Sequence, residues 1–281
     1  MESPAPFRAF NLANPPSPVV ISVPHAGRAY PAACAPLCRV PPEKLRRLED
    51  RYADQLVSAC VDAGYSTIIA HTPRLWIDLN RAEDDVADRL GVSSRATPPS
   101  AKARSGLGLV PTRLAGVGDI WRVPPSLAQI QARIAQVHRP YHAAVRKALA
   151  VAHAKFGAAV LLDIHSMPPL IGADRPEIVI GDRFGRAARM EVSDCARAVC
   201  GASGFRVALN TPYAGAYVLE QHGRPAEGVH ALQLEVCRST YLDAALDQPS
   251  DRLPVLQELI LSVAAALAMT VATGQALVAA E

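Results

Sequence analysis

The chain has 281 residues, half of them hydrophobic and a fifth charged, which is the composition of a globular protein able to bury a sizeable core. The formal net charge of +3 and the 5% aromatic content argue against nucleic-acid binding, which needs clustered basic residues interleaved with aromatic side chains. The six cysteines form no C-x-x-C pair, and the first residues, MESPAPFRAF, lack the apolar core of a secretory signal, so a cytoplasmic protein is expected.

Short apolar runs alternate with helical patterns along the chain. Runs rich in Val and Ile predict strands at 19–25, 66–71, 75–80, 158–166, 177–182, 205–210 and 230–236. Helical spacing of apolar residues predicts helices at 42–63, 125–155, 184–202 and 252–273. Continuously apolar strands that alternate with helices predict an α/β fold with a central, mostly parallel mixed sheet flanked by helices.

Two stretches depart from this alternation. Residues 83–124 are rich in Gly, Ser, Pro and Arg with weak periodicity, and loops of that length are usually functional or disordered. We therefore expect a single domain over 1–281, with 83–124 as a long excursion that serves as a lid. The stretch 256–280 is apolar but alanine-rich and carries Glu258, which makes it marginal as a membrane span of ~20 strongly apolar residues. It predicts a buried terminal helix and no membrane partner.

Polar side chains stand where several predicted strands end. His25 follows the first strand in SVPHAG, and Asp163 and His165 end the strand AAVLLDIHS. The segment LEDRYADQL, at 48–56, supplies three acids. Ligands of open α/β sheets bind at the carboxyl ends of strands, and two histidines with one carboxylate are a ligand set of catalytic zinc sites.

Each of these residues also has a purely structural interpretation. His25 can be a turn histidine, and an acid of the segment 48–56 can be a solvated or capping residue on a helix. Asp163 lies two residues before His165, so the two side chains share one face of a strand. They can form a buried hydrogen-bonded pair, or Asp163 can accept a ring N–H from a metal-bound His165.

Asn80 and Arg81 directly follow the predicted strand 75–80. The planar guanidinium of Arg81 suits a substrate carboxylate or a carbonyl oxygen that becomes negative. The alternative is an ion pair between Arg81 and one of the acids that follow it, Glu83, Asp84 and Asp85.

Glu235 interrupts the apolar pattern of HALQLEV. A glutamate is rarely buried without a partner, and one that faces an attacking water can act as general base. The alternative is a strand-end acid paired with Arg238 or Arg224. His230 is separated from Glu235 by an odd number of residues and is expected on the opposite face of the strand.

The motifs SVPHAG, IDLNR and LLDIHS, followed by TPYAGAYVLEQHGRPAEGVHALQLEVCRSTYLD, occur in this order across most of the chain. Together they resemble the N-formylglutamate amidohydrolase family, which is similar in fold to the zinc carboxypeptidases and the aspartoacylases. The resemblance implies a metal-dependent hydrolase that cleaves a small N-acyl amino acid, N-formyl-L-glutamate first, to formate and L-glutamate, with a role in histidine degradation.

The resemblance also implies one Zn²⁺ ion held by His25, Asp50 and His165, with another divalent metal as an alternative. The zinc carboxypeptidases carry H-x-x-E at the first ligand, whereas the third residue after His25 is Arg28 here, so the acid must come from elsewhere. Asp50 occupies the place that the family pattern suggests, and the rival acids are Glu49 and Asp54.

The roles of Glu235 and Arg81 follow from the same resemblance. Glu235 is implied as the general base. Arg81 is implied as an anion binder together with Asn80, either for the substrate carboxylate or for the developing oxyanion. Further candidates for contact with the substrate are Tyr217, Arg113, Arg122 and Arg183.

Three rival functions remain open from the sequence. The first is an aspartoacylase-like or carboxypeptidase-like hydrolase of a larger N-acyl group or peptide. The second is a non-catalytic binding module that keeps the fold. The third uses Cys237 as a nucleophile near His222 and His230, although a cysteine in an apolar strand is usually structural and inert. The sequence does not fix the oligomeric state.

Overall fold

The computed structural model describes residues 5–87, 90, 98–172 and 174–278. Within these residues the strands are β1 (Phe7–Phe10), β2 (Val19–Val23), β3 (Ser66–Ala70), β4 (Arg113–Leu114), β5 (Gly118–Asp119), β6 (Ala159–Met167), β7 (Ile178–Gly181), β8 (Val207–Leu209) and β9 (Val229–Cys237).

The helices of the same residues vary from a single turn to more than seven turns. They are α1 (Cys34–Leu37), α2 (Pro42–Leu45), α3 (Ala53–Leu56), α4 (Ser58–Asp62), α5 (Ala101–Arg104), α6 (Leu127–Arg133), α7 (Arg139–Phe156), α8 (Met190–Ala202), α9 (Tyr217–His222) and α10 (Leu253–Val278). A π turn, Ile134–His138, joins α6 to α7, and 3-10 turns occur at Arg46–Leu48, Pro225–Glu227 and Arg238–Thr240.

Seven of the described strands form one mixed sheet in the order β1-β3-β2-β6-β9-β7-β8. β2 pairs in parallel with β3 and β6, β6 pairs in parallel with β9, and β7 pairs in parallel with β8. Only the β7–β9 pairing among these is antiparallel. Every residue of β2, β3, β6 and β7 is buried, as expected for strands covered on both faces. The predicted α/β fold with a mostly parallel mixed sheet is confirmed.

The chain forms two compact units. One contains most of the sheet and comprises Ala9–Val23, Arg51–Ile69 and Ala144–Glu281. The other carries α6, the π turn and the β4–β5 hairpin and comprises Met1–Arg8, Pro24–Asp50 and Ala70–Ala143. The single domain over 1–281 and the lid over 83–124 stay predictions. The described part of 83–124 includes α5 and the β4–β5 hairpin, and 88–89 and 91–97 lie outside the described residues.

The C-terminal helix α10 packs over the sheet unit, in contact with α3, α4, α8, β2 and β6. Side chains at helical spacing form its buried face, namely Leu256, Leu259, Ile260, Val263, Ala264, Leu267 and Val271. By length and composition alone the segment Leu253–Thr273 could also cross a membrane. Its packing against the sheet agrees with the predicted buried terminal helix.

The strand predicted at 75–80 is wrong, because the segment forms turns instead. Its backbone hydrogen bonds do not connect it to the sheet. The carbonyl oxygens of Trp76, Leu79 and Arg81 instead accept hydrogen bonds from the side chains of Arg133, His142 and His138, respectively. Side chains of another element thus take the place of a strand partner, which an apolar alternation cannot reveal.

The single helix predicted at 42–63 is also wrong, because the segment is broken into α2, a 3-10 turn, α3 and α4. Glu49 is extended, with φ −81° and ψ 146°, and Tyr52 is left-handed, with φ 58°. The backbone N–H of Asp50 donates to the carbonyl of His25 at 3.0 Å. This tertiary hydrogen bond replaces a helical one and holds Asp50 outside any helix.

The other predicted elements are confirmed with shifted ends. The helix predicted at 125–155 spans α6, the π turn and α7, and it begins with a capping box between Ser126 and Gln129. The strands β1, β4 and β5 and the helices α1, α5 and α9 were not predicted, because two to six residues are too short for a periodic signal.

Candidate active site

Polar side chains line up across three neighbouring parallel strands. Ser22 of β2 is the register partner of Asp163 of β6, and Asp163 is the register partner of Gln233 of β9. Two residues further along, His165 is paired with Glu235. Register partners in parallel strands project from the same face, so the strand ends present one row of polar groups.

His165 is 2% exposed and is bonded through its ring to the acid on its own strand. Its Nε2 lies 2.8 Å from Oδ2 of Asp163. Asp163 is fully buried, and its Oδ1 also accepts a hydrogen bond from the hydroxyl of Ser22. A carboxylate accepts hydrogen bonds, so Nε2 of His165 is the donor in this contact.

His25 has the same arrangement, with a carboxylate from a different part of the chain. Its Nε2 lies 2.7 Å from Oδ1 of Asp78, and its Nδ1 lies 3.5 Å from Oδ2 of Asp50. His25, Asp50 and Asp78 are 2%, 3% and 0% exposed. The carboxylate of Asp78 therefore fixes the ring of His25 with Nδ1 turned towards Asp50.

Asp78 is the residue of this site that sequence reasoning missed. Its carboxylate also accepts from Nε of Arg74 at 2.7 Å and from the backbone N–H of Asn80 at 2.9 Å, and Nε of Arg81 lies 3.8 Å away. Burial alone would raise the pKa of Asp78, but Arg74, His25 and Arg81 together hold this pKa well below its ordinary value. The signal was an acid flanked by apolar residues in IDLNR, which the strand interpretation concealed.

His25, Asp50 and His165 form a buried group that could hold a metal ion. Each offers one ligand atom, and these atoms lie within 4.8 Å of one another. Two imidazole nitrogens and a carboxylate oxygen are the donors of many catalytic zinc sites, and a buried carboxylate behind each ring is the usual support for such ligands. Of the rival acids, Glu49 accepts a hydrogen bond from the hydroxyl of Tyr30 at 2.6 Å, and Asp54 lies in α3.

Glu235 is 8% exposed and lies on β9 directly beside His165 of β6. The side-chain amide of Gln233 donates to Oε1 of Glu235 at 2.9 Å, which orients the carboxylate. Next along the chain, Nε of Arg238 donates to the hydroxyl of Ser166 at 3.1 Å. Arg238, the ion-pair partner considered from the sequence, thus contacts Ser166 of the neighbouring strand.

Two of the acids that follow Arg81, Glu83 and Asp85, have other partners. Glu83 accepts from Nη2 of Arg139 at 2.8 Å, and Asp85 accepts from the backbone N–H and the hydroxyl of Ser100. Arg81 lies beside Asp78 instead, with 15% of its side chain exposed.

The other predicted substrate residues are spread over separate elements. Tyr217 begins α9 and is half-buried, whereas Arg113 is exposed in β4. Arg122 donates to the carbonyl of Cys38, and Arg183 forms an ion pair with Glu220.

Cys237 lies in an apolar cluster with Met167 and Val179, and it is 2% exposed. Its Sγ is 3.1 Å from the hydroxyl of Ser239. This is the environment of a structural cysteine and does not favour the cysteine-nucleophile alternative.

Known proteins are similar to this chain over most of its length. A family model described as N-formylglutamate amidohydrolase matches residues 17–242. Two proteins named N-formylglutamate deformylase, from Pseudomonas aeruginosa and Pseudomonas putida, are 33% and 30% identical over 236 residues, which is 80% of this chain and 82% of theirs. A crystal structure of N-formylglutamate amidohydrolase from Ralstonia eutropha JMP134 matches with a TM-score of 0.88 and 32% identity, over 96% of this chain and 99% of that one.

Proposed function

Because the chain belongs to the N-formylglutamate amidohydrolase family, we propose that it hydrolyses the formyl amide of N-formyl-L-glutamate to formate and L-glutamate with the help of one divalent metal ion. The similarity over four-fifths of the chain to two proteins named N-formylglutamate deformylase carries this proposal.

The ligands of the metal would be His25, Asp50 and His165. Their buried donor atoms fit the ion, because they lie within 4.8 Å of one another. Zinc bound there would act as a Lewis acid towards the amide carbonyl and lower the pKa of a bound water. Asp78 and Asp163 hold the two rings through Nε2, so that neither imidazole has to be reoriented to bind.

Glu235 would be the general base. Its carboxylate takes a proton from the attacking water and returns it to the amide nitrogen, which leaves as the amine of glutamate. Its position beside His165 supports this role, because paired residues of adjacent strands lie about 5 Å apart. The hydrogen bond from Gln233 keeps the carboxylate in one orientation.

Arg81 and Asn80 would bind the substrate. The guanidinium of Arg81 can pair with a carboxylate of the substrate or with the oxygen of the cleaved carbonyl. Asp78 lies behind Arg81 and restrains the direction of the guanidinium. Tyr217 and Arg113 are proposed as further substrate contacts, with Arg113 towards the second carboxylate of a glutamate. A cytoplasmic location and a role in histidine degradation stay predictions.

The deciding experiment measures formate release from N-formyl-L-glutamate by the full-length protein, as purified, after dialysis against a chelator, and after zinc is restored. We expect activity as purified, loss of activity on chelation and recovery with zinc. Metal content is measured on the same samples, so that activity can be compared with occupancy.

N-acetyl-L-glutamate and N-succinyl-L-glutamate are the matched controls for the acyl group. Slow turnover of both is expected beside fast release of formate. Faster turnover of the larger acyl groups would instead assign the chain an aspartoacylase-like or carboxypeptidase-like substrate, and activity that survives complete loss of metal would refute the metal-dependent mechanism.

A further inference from the structure

The segment 76–81, which carries Asp78 and Arg81, is held by one long helical element instead of by the sheet. Three basic side chains of that element hold its backbone carbonyls. Nη1 of Arg133 is 3.0 Å from the oxygen of Trp76, Nε2 of His142 is 2.9 Å from that of Leu79, and Nε2 of His138 is 2.8 Å from that of Arg81.

The π turn Ile134–His138 is what brings these three side chains to one face. Residues four apart lie above one another in an α-helix, which suits the spacing from His138 to His142. Arg133 and His138 are five apart, and a π turn closes from i to i+5, so these two also fall in line. Pro140 has no backbone N–H and would clash with the carbonyl four residues earlier in a regular α-helix, which accounts for the wide turn at this place.

Both histidines donate a hydrogen bond to the segment from a buried position. A carbonyl oxygen can only accept, so each Nε2 carries a hydrogen. The two rings lie against each other with centroids 4.4 Å apart, and they are 1% and 5% exposed. Burial, with a smaller contribution from Arg139, lowers the pKa of His138 below its ordinary value, against the raising effect of the Arg81 carbonyl, Glu83 and Asp78.

The two carbonyls belong to residues at or next to the functional positions of the segment. Leu79 follows Asp78, whose carboxylate fixes His25, and Arg81 is the proposed anion binder. A shift of about 1 Å in such a segment is enough to misplace a catalytic group.

We propose that His138 and His142 are positioning residues of the active site, which hold the backbone of Leu79 and Arg81 and thereby fix the His25–Asp78 pair and the Arg81 guanidinium. The inference rests on the proposed function.

The test compares His138→Phe and His142→Phe, which keep a ring but remove the donor, with His138→Gln and His142→Gln, which keep an N–H of similar reach. The control is His153→Phe, because Nε2 of His153 on the same helix α7 also donates to a carbonyl, that of Glu227, at 3.0 Å. For every variant kcat and KM on N-formyl-L-glutamate, zinc affinity by competition with a chromogenic chelator, and Tm are measured.

We expect each of the two Phe variants to lose about 10–100-fold in kcat/KM and in zinc affinity, the range found for residues that support metal ligands. The Gln variants and His153→Phe should stay within about three-fold of the unmodified protein. If a Phe variant does not fold, its Gln counterpart decides, since a folded Gln variant with lost activity and zinc affinity contradicts the inference.

The inference is overturned if the Phe variants at 138 and 142 lose no more than His153→Phe, or if Gln restores nothing that Phe removes. An unmodified protein that binds zinc but releases no formate refutes the proposed function alone. The zinc affinities of the Phe, Gln and His153→Phe variants, each relative to the unmodified protein, then decide the inference. An unmodified protein that binds no zinc overturns both.

Discussion

Each histidine of the candidate metal group is held by a buried carboxylate, and the two carboxylates differ in origin. Asp163 comes from the same strand as His165, two residues away, whereas Asp78 reaches His25 from 53 residues further along the chain. The first contact follows from the alternation of a strand and is visible in the sequence. The second depends on tertiary packing, and no local pattern reveals it.

Replacement of Glu235 by Gln tests the proposed base. The variant keeps the shape of the side chain and removes the proton acceptor, so turnover of N-formyl-L-glutamate should fall about 10²–10⁴-fold. Zinc content should stay unchanged, because Glu235 is not among the three proposed ligands. Glu220→Gln, at an exposed glutamate paired with Arg183, is the control and should keep its activity. Full activity of Glu235→Gln would refute the assignment of the base.

His230 links stability to pH. It is 4% exposed, its Nδ1 accepts the backbone N–H of Arg189, and burial together with the Arg189 charge lowers its pKa to about 4. The folded pKa lies below the ordinary value of about 6.5, so the unfolded chain takes up a proton first as the pH falls. The stabilisation is complete above about pH 6.5 and is lost towards pH 4, by up to about 3 kcal/mol.

The His230→Asn variant provides the comparison, because it has no imidazole to titrate. Urea unfolding between pH 7 and pH 4.5 should give a shallower loss of unfolding free energy for the variant than for the unmodified protein. If the unfolding free energy of the two proteins fell equally with pH, His230 would not titrate as described.

At the scale of elements, much of the candidate site lies in short segments that are held by tertiary hydrogen bonds. The long periodic elements form the sheet and the helices that cover it. The predicted strands that became β2, β3, β6, β7, β8 and β9 shift only at their ends, since runs of buried apolar residues belong to a doubly covered sheet. The predictions for the segments 42–63 and 75–80 are wrong for the same reason, because backbone groups of both segments form hydrogen bonds with distant partners. Asp50 and Asp78 both lie in those two segments.

The turn after β2 requires glycine at position 27, because there is no space for a side chain. A Cβ there would lie 2.0 Å from the carbonyl oxygen of Thr72. The backbone at Thr72 cannot easily move away, because His71 and Thr72 both donate their N–H groups to the carbonyl of Pro6. Gly27 thus allows two backbone segments to touch next to His25.

Replacement of Gly27 by Ala should lower the free energy of unfolding by about 1–3 kcal/mol or more, as overpacking does. It should also reduce activity, since His25 lies two residues away. Chemical denaturation and formate release measure the two effects. Gly201→Ala in α8 is the control, with nothing within 4 Å of its added Cβ, and should be neutral or stabilising by up to about 1 kcal/mol. Equal stability of the two variants would contradict the close approach.

At the scale of the whole molecule, α10 completes the core on the sheet unit. Its apolar composition alone is compatible with a membrane span, and its contacts with β2, β6 and α8 bury one of its faces against the folded unit. A helix packed on the sheet tolerates a charged residue on its exposed face, whereas a membrane span does not.

A charge on each face of α10 separates the alternatives. Ile260 is fully buried, so Ile260→Asp should cost more than about 4 kcal/mol and leave the protein unfolded or insoluble. Met269 is 72% exposed, so Met269→Asp should change stability by no more than about 0.5 kcal/mol. Thermal denaturation and the yield in the soluble fraction measure both. A membrane span would instead be disturbed by either charge.

The pairing of β6 with β9 has a consequence for how such a protein can diverge. The spacing between His165 and Glu235 is set by main-chain hydrogen bonds between adjacent strands, which do not depend on the identity of any side chain. Insertions and substitutions in the connecting loops therefore leave the distance between these two groups intact. Under the proposed function, new acyl preferences would therefore arise in the loops. A slip of one residue in the strand pairing would turn Glu235 to the opposite face and remove the proposed base from the site.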